Sequence, residues 1–391
     1  MLLKTLSYQD KRTGWTLQGV ELDRFNLLVG ASGVGKTRIL RAIREVRATA
    51  YGRGQATTQN IGTHADVAIS FAISFEHEGD DYLWKFESAP AIREEGVSHP
   101  QQVPTSLKTL VTRERLTSTR EGVLVERDAS SFLFRGQPLP QLNQAETALV
   151  LLAEPAILKV RDAFKFLLLD DQRKYISDSL QEFSADIITD SLNSLEDLRT
   201  YLTTAPAVRK AFFLQEHFAN DFAKLKELFI DIFPSVEDIT VRKTVSMEND
   251  ERVPYLQLDF ELKEHGVPVR IPVEDFSSGM LRTLTHLIDI GLAPTGTVLL
   301  IDEFENSLGV NCMEPLTEFI RSRAPDLQFI ITSHHPYIIN NIPKSYWKVV
   351  RRKGSVVRVT PASEIRALQG TSAQDDFTRL LNSPEFEEGL A

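Results

Sequence analysis

Eight consecutive residues near the N-terminus, Gly30-Ala31-Ser32-Gly33-Val34-Gly35-Lys36-Thr37, satisfy the pattern G-x-x-x-x-G-K-[ST] in full. The spacing suits one task, the holding of a nucleotide's phosphates. Glycines let backbone N–H groups converge on phosphate oxygens, and a helix that starts there turns its partly positive end to the same anion. Lys36 is placed to neutralise the β- and γ-phosphates, and the Thr37 hydroxyl to hold Mg2+. Arg38, the next residue, is counted with the nucleotide contacts.

Such a loop needs a carboxylate at the end of a neighbouring buried strand, and two segments compete for the part. Val298-Leu299-Leu300-Ile301-Asp302-Glu303 follows a Pro-Thr-Gly turn and ends in an adjacent acidic pair. Asp302 would hold the water shell of the Mg2+, and Glu303 would polarise the attacking water. Phe166-Leu167-Leu168-Leu169-Asp170-Asp171 is the competitor. It falls in a stretch of helical pattern, where a mixed apolar and acidic run is explained by helix packing, so Asp302 is preferred. Upstream, Asp275-Phe276-Ser277-Ser278-Gly279-Met280 opens a helix. A Ser-x-Gly turn there serves as an ordinary cap or offers a hydroxyl and N–H groups to an anion, and its place before the Asp302 strand favours the second use.

The elements that must position these residues follow from periodicity. LLKTLSY, WTLQGVEL and FNLLVG read as strands leading into the glycine loop, and Thr37 to about Ala48 reads as a helix. Between Asp66 and Leu139 the period is mostly two, which predicts an antiparallel sheet. From about Glu146 to Phe233 it turns helical, with Pro206 and Pro234 as breaks. Phe212, Phe213, Phe218, Phe222 and Phe229 fall there at largely helical spacing, as core or as a stripe for a partner. DITVRK, YLQLDFEL and VPVRIPV return to strand, a helix runs from about Ser278 to Asp289, and TVLLIDE and LQFIITS are apolar runs of the buried parallel type.

Composition narrows the class. The 391 residues, 42% hydrophobic and 25% charged, match an average globular protein with room for a large core. One cysteine, Cys312, excludes an internal disulfide and a cysteine zinc site. The N-terminus lacks the apolar core of a signal peptide, and no apolar run is long enough to span a bilayer, so a cytoplasmic protein without membrane contact is expected. A net charge of -10 argues against a dedicated basic nucleic-acid-binding domain. The first sixty residues are nevertheless basic. Arg38, Arg41, Arg44 and Arg47 recur every third residue on the first helix, as a DNA groove or as a solvated face.

The ordered set GASGVGKT, FSSGM, VLLIDE, ENSL and IITSHHP resembles the ATP-binding-cassette (ABC) ATPases of the SMC, RecF and OLD clade, which includes AAA-family proteins of bacterial antiphage defence. The resemblance implies an α/β fold: an ABC-type P-loop ATPase head with a mixed or parallel core sheet, an antiparallel β subdomain and a helical insertion. The head would comprise residues 1–150 and 235–391, and the insertion 151–234. Ser277 and Gly279 would then reach across a dimer to the γ-phosphate bound by the other copy, and Asn306-Ser307-Leu308 would form the D-loop. The family's switch histidine maps to His334, with its neighbour His335 as the alternative. Gln141 or Gln144 would contact Mg2+. ATP and Mg2+ are the implied cofactors, and Lys36, Glu303 and His334 the implied catalytic groups. The implied assembly is a homodimer or a multiple of dimers that controls a separate effector, a nuclease or toxin; a RecF-like DNA-repair clamp is the alternative.

The departures restrict this further. FSSGM replaces the Leu-Ser-Gly-Gly-Gln of cassette transporters. Lys36 and Asp302 lie 266 residues apart, too far for a compact transporter cassette and too near for the long coiled coils of SMC proteins. After Trp347 too little chain remains for the metal-binding nuclease domain of OLD proteins, so the effector is expected in another chain.

Overall fold

A computed structural model of the chain describes residues 1–52, 67–90, 109–140, 143–169, 177–246, 255–365 and 368. The chain divides into two compact units. The first comprises Met1–Leu169, Val298–Asp302 and Gln328–Ala391, and the second Asp170–Thr297 and Glu303–Leu327.

The first unit is built on one sheet. Its N-terminal strands are β1 (Leu2–Asp10), β2 (Trp15–Glu21) and β3 (Phe25–Val29), followed by helix α1 (Lys36–Ala50). Then come β4 (Ile69–His77), β5 (Asp80–Pro90), β6 (Thr109–Ser118), β7 (Gly122–Arg127), β8 (Phe132–Phe134) and β9 (Gln137–Pro138). Helices α2 (Ala148–Leu151) and α3 (Pro155–Ala163) lead to strand β10 (Leu167–Leu169). In the second unit lie β11 (Ser177–Gln181), α4 (Glu182–Ser191), α5 (Leu195–Tyr201), α6 (Ala207–His217) and α7 (Ala219–Ile232). They are followed by β12 (Val236–Ser246), β13 (Tyr255–Glu264), β14 (Ile271–Pro272) and α8 (Ser278–Gly291). The chain returns to the first unit for β15 (Val298–Ile301), leaves again for α9 (Val310–Arg323), and ends in the first unit with β16 (Gln328–Thr332), α10 (Pro336–Asn341), β17 (Trp347–Lys353) and β18 (Val356–Pro361).

Among the described residues the first unit's strands run in the order β10-β15-β16-β3-β17-β18-β2-β1-β4-β5-β6-β7-β8-β9. From β10 to β17 all neighbours are parallel. From β2 to β9 they are antiparallel. The mixed core and the antiparallel block expected from the residue patterns are therefore both present. Strands β3, β15 and β16 are buried along their whole length, as suits parallel strands covered on both faces. The alternating strands put Leu6, Leu17, Phe71 and Trp84 into the same core as Ile39, Ile43 and Val46 of α1. Buried amides add cross-links: Asn26 of β3 donates to the Phe329 carbonyl of β16 at 3.0 Å, and Gln328 of β16 donates to the Leu3 carbonyl of β1 at 2.8 Å.

In the second unit β11, β13 and β12 form a separate antiparallel sheet, with β14 on β13. Phe212, Phe213 and Phe229 are buried there, as a core reading requires, while Phe218 and Phe222 are half-buried. Lys210, almost fully buried, is neutralised by Asp289 at 2.7 Å. One stretch differs from the helical pattern expected for 151–234. Leu167–Leu169 is a strand, paired in register with Val298–Leu300, and β11 follows it. Asp170 and Asp171 lie outside the described residues. Among the described residues no helix is long and apolar enough to cross a membrane.

Candidate active site

The glycine loop follows β3, between the strands that flank it on either side. At Gly30 a Cβ would lie 2.6 Å from the Val350 carbonyl oxygen of β17, closer than any side chain tolerates. Ala31 and Val34 are buried, and Ser32 and Gly33 are exposed. The loop thus anchors itself with its apolar residues. Gly35 takes φ +110° and, lacking a side chain, does not cap α1, so the positive end of the helix dipole faces the loop without a capping oxygen from that residue. Lys36 Nζ donates to the carbonyls of Gly30 at 2.7 Å and Ala31 at 3.0 Å, which fixes its charge over the same loop.

Asp302 directly follows β15, and the parallel register of β15, β16 and β3 brings it beside the loop. Its Oδ1 accepts the Thr37 hydroxyl at 3.1 Å and the Thr332 hydroxyl at 2.6 Å. This donor set fits Mg2+: a carboxylate and a threonine oxygen are hard ligands, and they adjoin a loop shaped for phosphate. Among the described residues no group of three or more His, Cys, Asp or Glu is placed so that it could hold a metal ion by itself.

His335 Nδ1 accepts the Tyr337 N–H at 3.2 Å and caps α10, which leaves the proton on its other ring nitrogen. His334 is exposed. Arg38 donates to Thr13 Oγ1 at 3.0 Å, pairs with Asp10 at 3.5 Å and lies 4.8 Å from the Trp15 ring centroid, which ties α1 to the β1–β2 turn. Arg47 donates to the Phe164 carbonyl at 3.2 Å, whereas Arg41 is exposed. Arg352, a residue the sequence reasoning missed, reaches the Gly33 carbonyl at 3.4 Å from β17. The Gln144 carbonyl accepts from Val111 N, and three residues on Thr147 donates to the Thr49 carbonyl. Thr49 lies about 18 Å along α1 from Thr37 at 1.5 Å per residue. Gln141 lies outside the described residues.

Within the second unit, Ser277 Oγ accepts the Met280 N–H at 3.2 Å and caps α8. Ser277 is exposed, and its own proton stays available to an acceptor elsewhere. Gly279 explains itself by contact: a Cβ there would lie 3.1 Å from the Ser307 carbonyl oxygen. Glu303 and Ser307 both take left-handed backbone, φ 46° and 65°, a conformation that costs free energy for residues with a Cβ. Buried Phe304, its ring 5.7 Å from that of His286, pegs this tight segment while Glu303, Asn306 and Ser307 remain exposed.

A family model described as "AAA domain, putative AbiEii toxin, Type IV TA system" matches residues 25–340. The chain belongs to this family. The AAA-domain match begins at β3 and ends in α10, so it takes in the glycine loop, Asp302 and His334. Its AAA domain carries the complete glycine loop from Gly30 to Thr37. Three solved structures are similar to the chain. An SMC head bound to the C-winged helix domain of ScpA shares 14% identity over 92% of this chain and 97% of that one, with a TM-score of 0.48. The SMC head domain from Thermotoga maritima shares 13% over 92% and 99%, with 0.41. An Smc head domain with an extended coiled coil, bound to the C-terminal domain of ScpA derived from Pyrococcus furiosus, shares 15% over 92% and 96%, with 0.45. No curated protein matches the chain.

Proposed function

We propose that this AAA-domain protein binds ATP with Mg2+, closes as a dimer around it, and hydrolyses it as a timed switch on a separate effector in the cytoplasm. The observation that carries the reading is the Thr37–Asp302 contact beside the loop that holds Lys36. Hydroxyl and carboxylate already stand together where a phosphate-bound cation would need them. Mg2+, when bound, supplies charge neutralisation at the β- and γ-phosphates. The residues from Gly30 to Gly35 cradle the phosphates, Lys36 moves from the loop carbonyls to the γ-phosphate side, and Thr37 with Asp302 holds the cation. Glu303 takes the proton of the attacking water, and His334 donates to the γ-phosphate. Ser277 and Gly279 complete the site from the second copy. The cap leaves the Ser277 proton for that purpose. Arg38, held by Asp10, Thr13 and Trp15, stiffens the rim of the site. The effector would be a nuclease or toxin, and the setting antiphage defence.

The test uses Glu303→Gln, which should bind ATP and stop before hydrolysis. Purified from its native host with ATP and weighed by light scattering, it should move from 44.1 kDa to twice that mass or a multiple, with a nuclease or toxin identified beside it by mass spectrometry. An ATP-dependent dimer carrying only DNA would favour the repair clamp. A monomer indifferent to ATP would remove the composite-site reading.

A further inference from the structure

We propose that Thr332 is a positioning residue that fixes the Asp302 carboxylate for its cation. The inference rests on the reading of this site as a Mg2+–nucleotide site. Thr332 ends β16 after Phe329, Ile330 and Ile331, and it is 1% exposed. Packing alone would accept valine there, which has the same shape without the hydroxyl. The hydroxyl instead donates to Asp302 Oδ1 at 2.6 Å, the shorter of that oxygen's two hydroxyl contacts. One carboxylate oxygen accepts about two such bonds, so Oδ1 is filled by Thr37 and Thr332 while Oδ2 remains for a cation or its water shell.

The two threonines differ in what they can do once a cation is present. Thr37 would give a lone pair to the cation and adjust its geometry accordingly. Thr332, on a buried strand hydrogen-bonded on both sides, does not move with it. It keeps the carboxylate from rotating about its Cβ–Cγ bond and so sets which oxygen faces the cation. Groups that orient a metal ligand in this way alter metal affinity by about 10- to 100-fold when removed.

Thr332→Val and Thr332→Ser separate the hydroxyl from its shape. Manganese binding in the presence of ADP is followed by electron paramagnetic resonance, and the affinity for ATP is measured in EDTA. Thr332→Val should weaken Mn2+ binding about tenfold while leaving ATP affinity in EDTA within twofold of the parent; Thr332→Ser should restore Mn2+ binding. Unchanged Mn2+ affinity in Thr332→Val overturns the proposal. So does a parallel loss of metal-free ATP binding, which would make the role structural. If the parent protein itself shows no nucleotide-dependent Mn2+ binding, the proposed function fails with it, and the two failures are thereby told apart.

Discussion

Lys36 donates to two carbonyls of the loop that precedes it, Gly30 and Ala31, so a cation is already lodged where an anion is to be received. The geometry depends on Gly30, whose α-carbon passes the β17 backbone with no room for a methyl group. Gly30→Ala should force loop and strand apart, at a cost of about 1–3 kcal/mol for an overpacked site. Calorimetry should show a lowered melting temperature together with weakened ATP binding. A variant of parental stability and affinity would mean that the loop relaxes freely and that the close approach has no bearing on binding.

Helix α8 carries two requirements on one element. At its start Ser277 serves as the cap, and further along the helix Arg282, Thr283 and His286 are buried. Asp is as good a cap as Ser, but it would set a negative charge where the proposed dimer brings a γ-phosphate. Ser277→Asp should therefore melt within a degree or two of the parent and lose ATP-dependent dimerisation; a stable variant that still dimerises would reduce Ser277 to a cap. His286 makes a second prediction. Burial, reinforced by the like charge of Arg282, pushes its pKa down to about 3. Because the unfolded chain accepts a proton near pH 6.5 and the folded chain refuses it, the stabilisation is complete above pH 6.5 and is lost progressively from there toward pH 3. The slope from this group is at most roughly 1.4 kcal/mol per pH unit. His286→Phe should flatten the fall in melting temperature between pH 6.5 and 4, and an unaltered profile would show that another group governs acid lability.

Legibility from sequence also divides at this scale. The glycine loop, β15 and β16 are local patterns, each written within a few residues. Leu167–Leu169 is not: three apolar residues fit a helix as well as a strand, and their pairing partner at Val298–Leu300 lies far along the chain. Arg352 at Gly33 and Thr332 at Asp302 are likewise products of strand order, which no local spacing encodes. The Ser277 cap and the Gly279 motif were visible, but the reason for the glycine, the Ser307 carbonyl, required the folded backbone.

At the scale of the molecule, charge sets a condition on assembly. Each copy carries -10, and two such copies repel before any interface forms. Raising the salt from about 0.05 to 0.3 M shortens the screening length and should strengthen the ATP-bound dimer of Glu303→Gln. Sedimentation velocity across that range gives the sign directly. Dissociation by salt would instead mean that attractive pairs across the interface outweigh the net repulsion.

The path of the backbone has a mechanical consequence. Val298–Asp302 belongs to the first unit, yet the residues covalently joined to both its ends belong to the second. No single excision can remove the second unit and leave the acidic strand attached to its sheet. A pull transmitted along the chain would load β15 lengthwise between β10 and β16, in shear, so its hydrogen bonds would share the force and yield together. The carboxylate that meets Thr37 thus sits on a stretch of chain that is tethered at both ends and gripped on both sides.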